Sequence, residues 1–329
     1  MIHPIPPGTR DVLPEEMREM RELQAALIDV FEGRGYGQVA TPALEYDEVP
    51  GRGGGSDHAG YRFFDENGEL LALRSEMTVP IARLVATRFA RAEPPLRFCY
   101  VAAAYRTVSP QRGETREFLQ AGVELLGAPG ADGTVEVIAV LEAALDAAGL
   151  GSAVIGLGDA DLYRDFFAEL GLDEVARELV LGRLASHDLV GLESELVAAG
   201  VEAGRVASCL RLSQLRGGPE VLEEARAQGS AAVDRAVARL EEITSALGSR
   251  TGGHRVQVDF GLMRDLGYYN GAILEVYDPA VGRVLGGGGR YDGLMKRFGL
   301  DLSAAGFALY LDRVQVARLE ERRRGEGAG

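Results

Sequence analysis

Along residues 14–33 the apolar positions Met17, Met20, Leu23, Leu27, Val30 and Phe31 recur at helical spacing, behind Pro14 and ahead of Gly33 and Gly35. The pattern predicts an amphipathic helix with proline in its first turn and glycine at its stop. Residues 38–46 read as a strand interrupted by Pro42, which a sheet tolerates only at an edge, bulge or interface. Residues 62–65 and 69–74 flank Glu66, Asn67 and Gly68, and Asn-Gly supplies positive φ cheaply, so a β-hairpin is expected. Two long apolar runs, 96–105 and 118–126, are separated by the polar segment 107–117 with Pro110 and Gly113. They predict a pair of antiparallel strands joined by a flexible loop. Residues 135–148 repeat with helical period, and 153–156 followed by Asp159 as an N-cap predicts a strand and then a helix.

From 173 to 247 the texture changes to Ala, Leu, Glu and Arg, broken only at short glycine-bearing turns. This stretch predicts a helical insertion without a strand. Strand signals return at 255–262 and 268–277, divided by a charged turn at Arg264 and Asp265. Gly286 to Gly289 read as a tight turn before a short helix, residues 305–318 as a final helix, and 320–329 as a charged, frayed tail. Strands near both ends with helices segregated between them predict an α+β fold built on a largely antiparallel sheet. The expected division is a discontinuous core, 1–172 and 249–319, with 173–248 inserted into it and 320–329 as the tail.

Composition narrows the chemistry. The chain of 329 residues is 46% hydrophobic, enough for a full core. Its 50 acidic and 35 basic side chains give a formal charge of -15, which disfavours a phosphate backbone as partner. Cys99 and Cys209 stand alone, so neither a disulfide framework nor a thiolate zinc site is expected. No stretch reaches the ~20 apolar residues of a membrane span and residues 1–10 lack a signal-like apolar core, so the expected compartment is the cytoplasm. His3, His58, His187 and His254 are scattered, and HExxH, GxSxG and GxxxxGK[ST] are all absent. The paired-acid loop of ribose-phosphate transferases is absent too. No catalytic residue, metal or cofactor is therefore expected.

Five ordered segments resemble the catalytic domain of histidyl-tRNA synthetases. Gly8-Thr9-Arg10-Asp11-Val12-Leu13-Pro14 is similar to the N-terminal signature, and Gly35-Tyr36, Val39, Thr41-Pro42 and Leu44-Glu45 to class II motif 1. Arg106, Pro110-Gln111-Arg112-Gly113, Arg116, Phe118, Gln120 and Gly122-Val123-Glu124 resemble motif 2 and its loop. Gly288-Gly289-Arg290-Tyr291-Asp292-Gly293-Leu294 and Gly306-Phe307-Ala308 through Asp312-Arg313 resemble the run into motif 3, and Arg264-Asp265-Leu266-Gly267-Tyr268-Tyr269-Asn270 the histidine-specific segment. The resemblance implies a six-stranded antiparallel sheet flanked by helices, a dimer through motif 1, and a pocket for free histidine. By motif position that pocket holds Glu76, Thr78, Arg106, Gln120, Glu124, Arg264, Tyr268 and Tyr269. Carboxylates suit an ammonium or imidazole N–H, an amide and hydroxyls fix orientation, and aromatic rings enclose a side chain. Gln120 and Glu124 are an even number of residues apart, so a strand places both on one face.

Departures from the family's pattern carry as much weight. Val108 stands where a glutamate reads adenine, Ser109 and Glu114 where the loop is commonly basic, and Tyr310 where motif 3 has glycine. Gly267 replaces an aspartate beside the Tyr-Tyr pair. With Arg313 close to residue 329, no C-terminal anticodon-binding domain is expected. A kept amino-acid pocket with a damaged adenylation site is similar to the regulatory-subunit paralogue of the family. That resemblance implies a short-form ATP phosphoribosyltransferase catalytic subunit as partner, L-histidine as effector, and a homodimer within a hetero-oligomer, with a hetero-octamer as one arrangement; neither tRNA nor a membrane is an expected partner. A minimal enzyme forming an aminoacyl-adenylate is the alternative, and a translation or stress regulator a third reading that the charge opposes.

Overall fold

The computed structural model describes residues 5–54, 60–107, 115–250, 255–264 and 267–327. The first helix, α1 (Pro14–Glu32), buries Met20, Leu23, Leu27 and Phe31 and ends at Gly33, as its spacing predicts. The proline-broken strand becomes two pieces in different sheets, β1 (Gly37–Gln38) and β2 (Leu44–Tyr46), followed by α2 (Glu48–Gly51). The hairpin β3 (Arg62–Phe64) and β4 (Leu70–Leu73) turns at Gly68 with φ 82° and joins β2 in a three-stranded sheet of order β2-β4-β3. Next come α3 (Thr78–Arg88), the long antiparallel pair β5 (Leu96–Tyr105) and β6 (Glu117–Leu126), and α4 (Gly130–Ala147).

The strand β7 (Val154–Asp159) runs past its expected end, and α5 (Leu162–Glu169) is N-capped at Asp161 rather than Asp159. Asp159 is instead buried and accepts from two guanidinium nitrogens of Arg239, Nε at 2.7 Å and Nη2 at 2.8 Å. The helical stretch comprises α6 (Glu174–Ala185), α7 (Leu189–Ala198), α8 (Ala203–Gln214), α9 (Val221–Arg226) and α10 (Ala231–Arg250). It also contains a strand, β8 (Arg216–Gly217), contrary to the expectation of none; two residues are too few to leave a periodic signal, and pairing with β9 (Val256–Asp259) defines it.

The remaining elements are β10 (Ala272–Asp278), β11 (Arg283–Arg290), α11 (Asp292–Arg297), β12 (Ala304–Tyr310) and α12 (Leu311–Gly327). Three expectations are corrected here. Tyr268 and Tyr269 precede β10 rather than open it. Gly286 to Gly289 lie inside β11, not in a turn. Residues 304–310 form a strand and the helix begins only at Leu311, running to Gly327 where a frayed tail was expected. In β12 the large side chains Phe307 and Leu309 alternate with Gly306 and Ala308, a period of two hidden by the run's small residues.

The main sheet is nine-stranded, in the order β1-β5-β6-β12-β11-β10-β7-β9-β8. Its centre, β5 to β7 in that order, is the expected six-stranded antiparallel array; β1 and β9 add to its two sides as parallel neighbours. One face packs against α1, α4, α10 and α12, in a large apolar cluster that includes Leu27, Phe31, Val123, Leu141, Leu240 and Phe307. The opposite face carries a smaller cluster under α3 and α11, which includes Met77, Tyr100, Tyr268, Tyr291 and Leu294. Among the described residues no helix is long and apolar enough to cross a membrane.

Candidate functional site

The site lies on the α3 side of the sheet, where alternation along β6 lines up Phe118, Gln120, Gly122 and Glu124. Across the ladder Glu124 faces Phe98 on β5 and Gly306 on β12, while Gln120 faces Ala102 and Tyr310. Glycine at 306 is what admits the acid, because a Cβ there would stand 2.0 Å from Glu124 Oε2. Gly287 does the same for Arg264, whose Nη1 would be 1.7 Å from a Cβ at that position. The glycine-rich strand is therefore a floor on which charged and aromatic side chains lie flat, and not an anion-binding turn.

Glu124 is 1% exposed. Its Oε1 accepts a hydrogen bond from the Thr78 hydroxyl at 2.8 Å, and its Oε2 accepts another from the hydroxyl of Tyr291. Burial pushes the Glu124 carboxyl up to about 8, with nearby Glu76 adding to the rise and the Tyr291 and Thr78 hydrogen bonds opposing it. At neutral pH the protonated form of this buried acid is therefore favoured. Glu76 accepts from the backbone N–H groups of Thr78 at 2.6 Å and Val79 at 2.8 Å. It satisfies the first turn of α3 and holds Thr78 over the sheet.

Tyr268 and Tyr269 stand edge to face with centroids 4.9 Å apart, and Tyr268 meets Tyr291 in the same way at 6.0 Å. Burial raises all three phenols, so they remain neutral donors. Gln120 is 4% exposed and its Oε1 has no hydrogen-bond donor among the described residues; the buried hydroxyl of Tyr100, opposite Gly122, has no partner there either. Both atoms belong to the α3 side of the sheet, where a water molecule or a polar ligand would satisfy them.

The other end of the pocket is cationic. Arg264 Nη1 reaches the carbonyls of Leu274 at 3.3 Å and Gly286 at 3.4 Å, with Glu275 at 3.8 Å. Arg106 lies 4.0 Å over the Phe118 ring and 5.4 Å from that of Tyr310, while Arg313 stacks at 4.6 Å on the Tyr310 ring. Burial alone would raise the Tyr310 phenol, but Arg264 and Arg106 bring it below its ordinary value.

The structure thus gathers Glu76, Thr78, Gln120, Glu124, Tyr268 and Tyr269 with Arg264 on one face, and sets Arg106 at the far end beside Tyr310. Tyr291 and Tyr100 are lining residues that sequence reasoning did not assign. Tyr291 sits inside the quoted Gly-Gly-Arg-Tyr run, and an aromatic that pairs with a glycine across neighbouring strands was the available signal for Tyr100. Val108, Ser109, Pro110, Gln111, Arg112, Gly113, Glu114, Asp265 and Leu266 lie outside the described residues, as do His3, His58 and His254.

The sheet order defines a class II synthetase-like domain, with a buried polar and aromatic lining on the α3 side of the sheet. A family model described as histidyl-tRNA synthetase matches residues 8–314. A Moorella thermoacetica protein named ATP phosphoribosyltransferase regulatory subunit is 42% identical over 96% of this chain and 82% of its own. A Symbiobacterium thermophilum protein of the same name is 40% identical, over 96% of this chain and 80% of its own. A crystal structure from Bacillus halodurans, titled ATP phosphoribosyltransferase regulatory subunit/histidyl-tRNA synthetase, superposes with a TM-score of 0.88 at 30% identity, covering 96% of this chain and 83% of that one. Histidyl-tRNA synthetase from a Nostoc species shares the fold, with a TM-score of 0.80 at 21% identity over 99% of this chain and 76% of that one. The chain belongs to the ATP phosphoribosyltransferase regulatory subunit family, within the wider histidyl-tRNA synthetase family.

Proposed function

We propose that this chain is a non-catalytic subunit that binds free histidine in the pocket above Glu124 and governs a short-form ATP phosphoribosyltransferase catalytic subunit, conveying histidine feedback to the first step of histidine biosynthesis. The observation that carries the reading is the pairing of a buried polar lining around Glu124 with the Tyr310 ring among the arginines of its far end. The ammonium or imidazole of histidine meets Glu124 and Thr78, Gln120 fixes its orientation, the tyrosines enclose the ring, and Arg264 with Arg106 draws the carboxylate. Residues 1–172 and 249–319 serve as the synthetase-like core and 173–248 as an insertion in it. The exposed apolar side chains Leu44, Tyr46 and Phe63 share one face of the small sheet and support the homodimer within a larger hetero-oligomer. The formal charge of -15 supports a protein partner over tRNA.

Arg106 and Phe118, in contact by cation–π stacking, bracket the 107–117 segment. Histidine at the pocket reaches that segment through Arg106 and alters its contact with the catalytic chain. Calorimetric titration with histidine, then a coupled phosphoribosyltransferase assay with a short-form catalytic subunit, tests the reading. Histidine binding together with activation of the partner is expected. Pyrophosphate exchange with ATP and histidine, with no effect on the partner, would establish the aminoacyl-adenylate alternative instead.

A further inference from the structure

The far end of the pocket is built for negative charge yet filled by the protein itself. Three guanidinium groups, those of Arg106, Arg264 and Arg313, bear on the phenol of Tyr310. The ring also meets Phe118 edge to face at 5.5 Å, and Phe118 in turn carries Arg106 at 4.0 Å. The space left between Arg106, Thr115, Phe118, Asp312 and Arg313 beside the ring is about 20 Å³, room for a water molecule and little else. Phosphate oxygens are the ligands that guanidinium clusters bind best, through charge-assisted bidentate hydrogen bonds.

We propose that Tyr310 is the specificity-determining residue of this pocket: its ring occupies the polyanion subsite formed by Arg106, Arg264 and Arg313 and limits the site to a free amino acid, excluding a nucleoside triphosphate. The inference rests on the amino-acid-binding reading above and adds what sets the size limit. The position makes the ring effective. Tyr310 closes β12 directly opposite Gln120, so its ring stands where the amino-acid lining meets the three arginines. Exclusion works by volume and not by the hydroxyl, since the ring fills the space whether or not it carries oxygen.

The test is calorimetric titration of the full-length chain with ATP-magnesium, inorganic triphosphate and histidine, for the unaltered protein, Tyr310→Ala, Tyr310→Ser and Tyr310→Phe. The unaltered protein and Tyr310→Phe should bind neither polyanion, whereas Tyr310→Ala and Tyr310→Ser should gain affinity for both by tenfold or more. Thermal melts identify which of the two ring-less variants is folded, and either one suffices. The proposal is overturned if the unaltered chain binds triphosphate as tightly as the ring-less variants, or if a folded ring-less variant gains no affinity. Gain of triphosphate binding without any histidine binding would uphold the size limit and sink the histidine reading, so the two fail separately.

Discussion

Thr78 and Glu124, 46 positions apart, are joined by a 2.8 Å hydrogen bond from the threonine hydroxyl to a carboxyl oxygen with almost no exposure to solvent. That bond ties the start of α3 to β6 and makes the acid answerable to both. An acid raised by burial to about 8 stays protonated in the folded chain where the unfolded chain has already ionised. Stability therefore falls as pH rises from about 4.5 to about 8, and the penalty is complete above that. Against Glu124→Gln, the unaltered protein should lose on the order of a few kcal/mol between pH 5 and pH 8.5. Urea melts of both proteins across that range check it, and parallel profiles would contradict it.

The same proton should leave when a cation arrives. Histidine binding at pH 7 should release protons beyond those taken up by the ligand's own imidazole, because an opposite charge favours the carboxylate. Titrations in buffers of different ionisation enthalpy measure the release, and the Glu124→Gln protein supplies the baseline. Equal proton counts for the two proteins would show that the ligand's cation is bound elsewhere.

Gly306→Ala places a Cβ 2.0 Å from Glu124 Oε2 and 2.5 Å from the Val123 carbonyl. One of these is backbone, so rotation of the glutamate cannot relieve the crowding. The expected cost is about 1–3 kcal/mol, together with a loss of histidine affinity of at least tenfold. Gly293→Ala in α11, where a Cβ meets nothing within 4 Å, is the control and should leave stability equal or slightly raised. Urea melts and titration of both variants separate the two cases.

Arg239 on α10 is what balances the buried carboxylate of Asp159 on β7. Arg239→Ala should cost about 3–5 kcal/mol by leaving that charge unpaired, and adding Asp159→Asn should recover part of the loss. Chemical denaturation of the single and double variants decides it; an unchanged cost in the double variant would assign the effect to packing.

Long periodic elements were legible because their signal outlasts local noise. The first helix, the Asn67-Gly68 hairpin and the 96–105 strand all stand within a residue or so of their expected limits. Shared orientation of Gln120 and Glu124 was legible for the same reason. Gly286 to Gly289 and residues 305–310 give no strand signal in sequence because glycine and alanine carry weak propensity for strands, and pairing with neighbours makes them so. The local sequence predicts a capping role for Asp159 because Asp at a strand end commonly caps the next helix, whereas its partner Arg239 is 80 residues away in sequence. Tyr291 went unassigned because its partner, Glu124, lies 167 residues away, and only the closed sheet brings them together.

The glycine floor has a consequence for how such a chain can change over time. Gly287 and Gly306 give their strands little of their own to hold the sheet, so the side chains resting on them, Arg264 and Glu124, act as its upholstery as well as its chemistry. Loss of those side chains would open holes in the fold before it removed a ligand. A lineage that abandons a reaction can therefore discard reactive positions at the rim while its pocket lining persists under selection for foldability alone, and that persisting cavity is raw material for a new use.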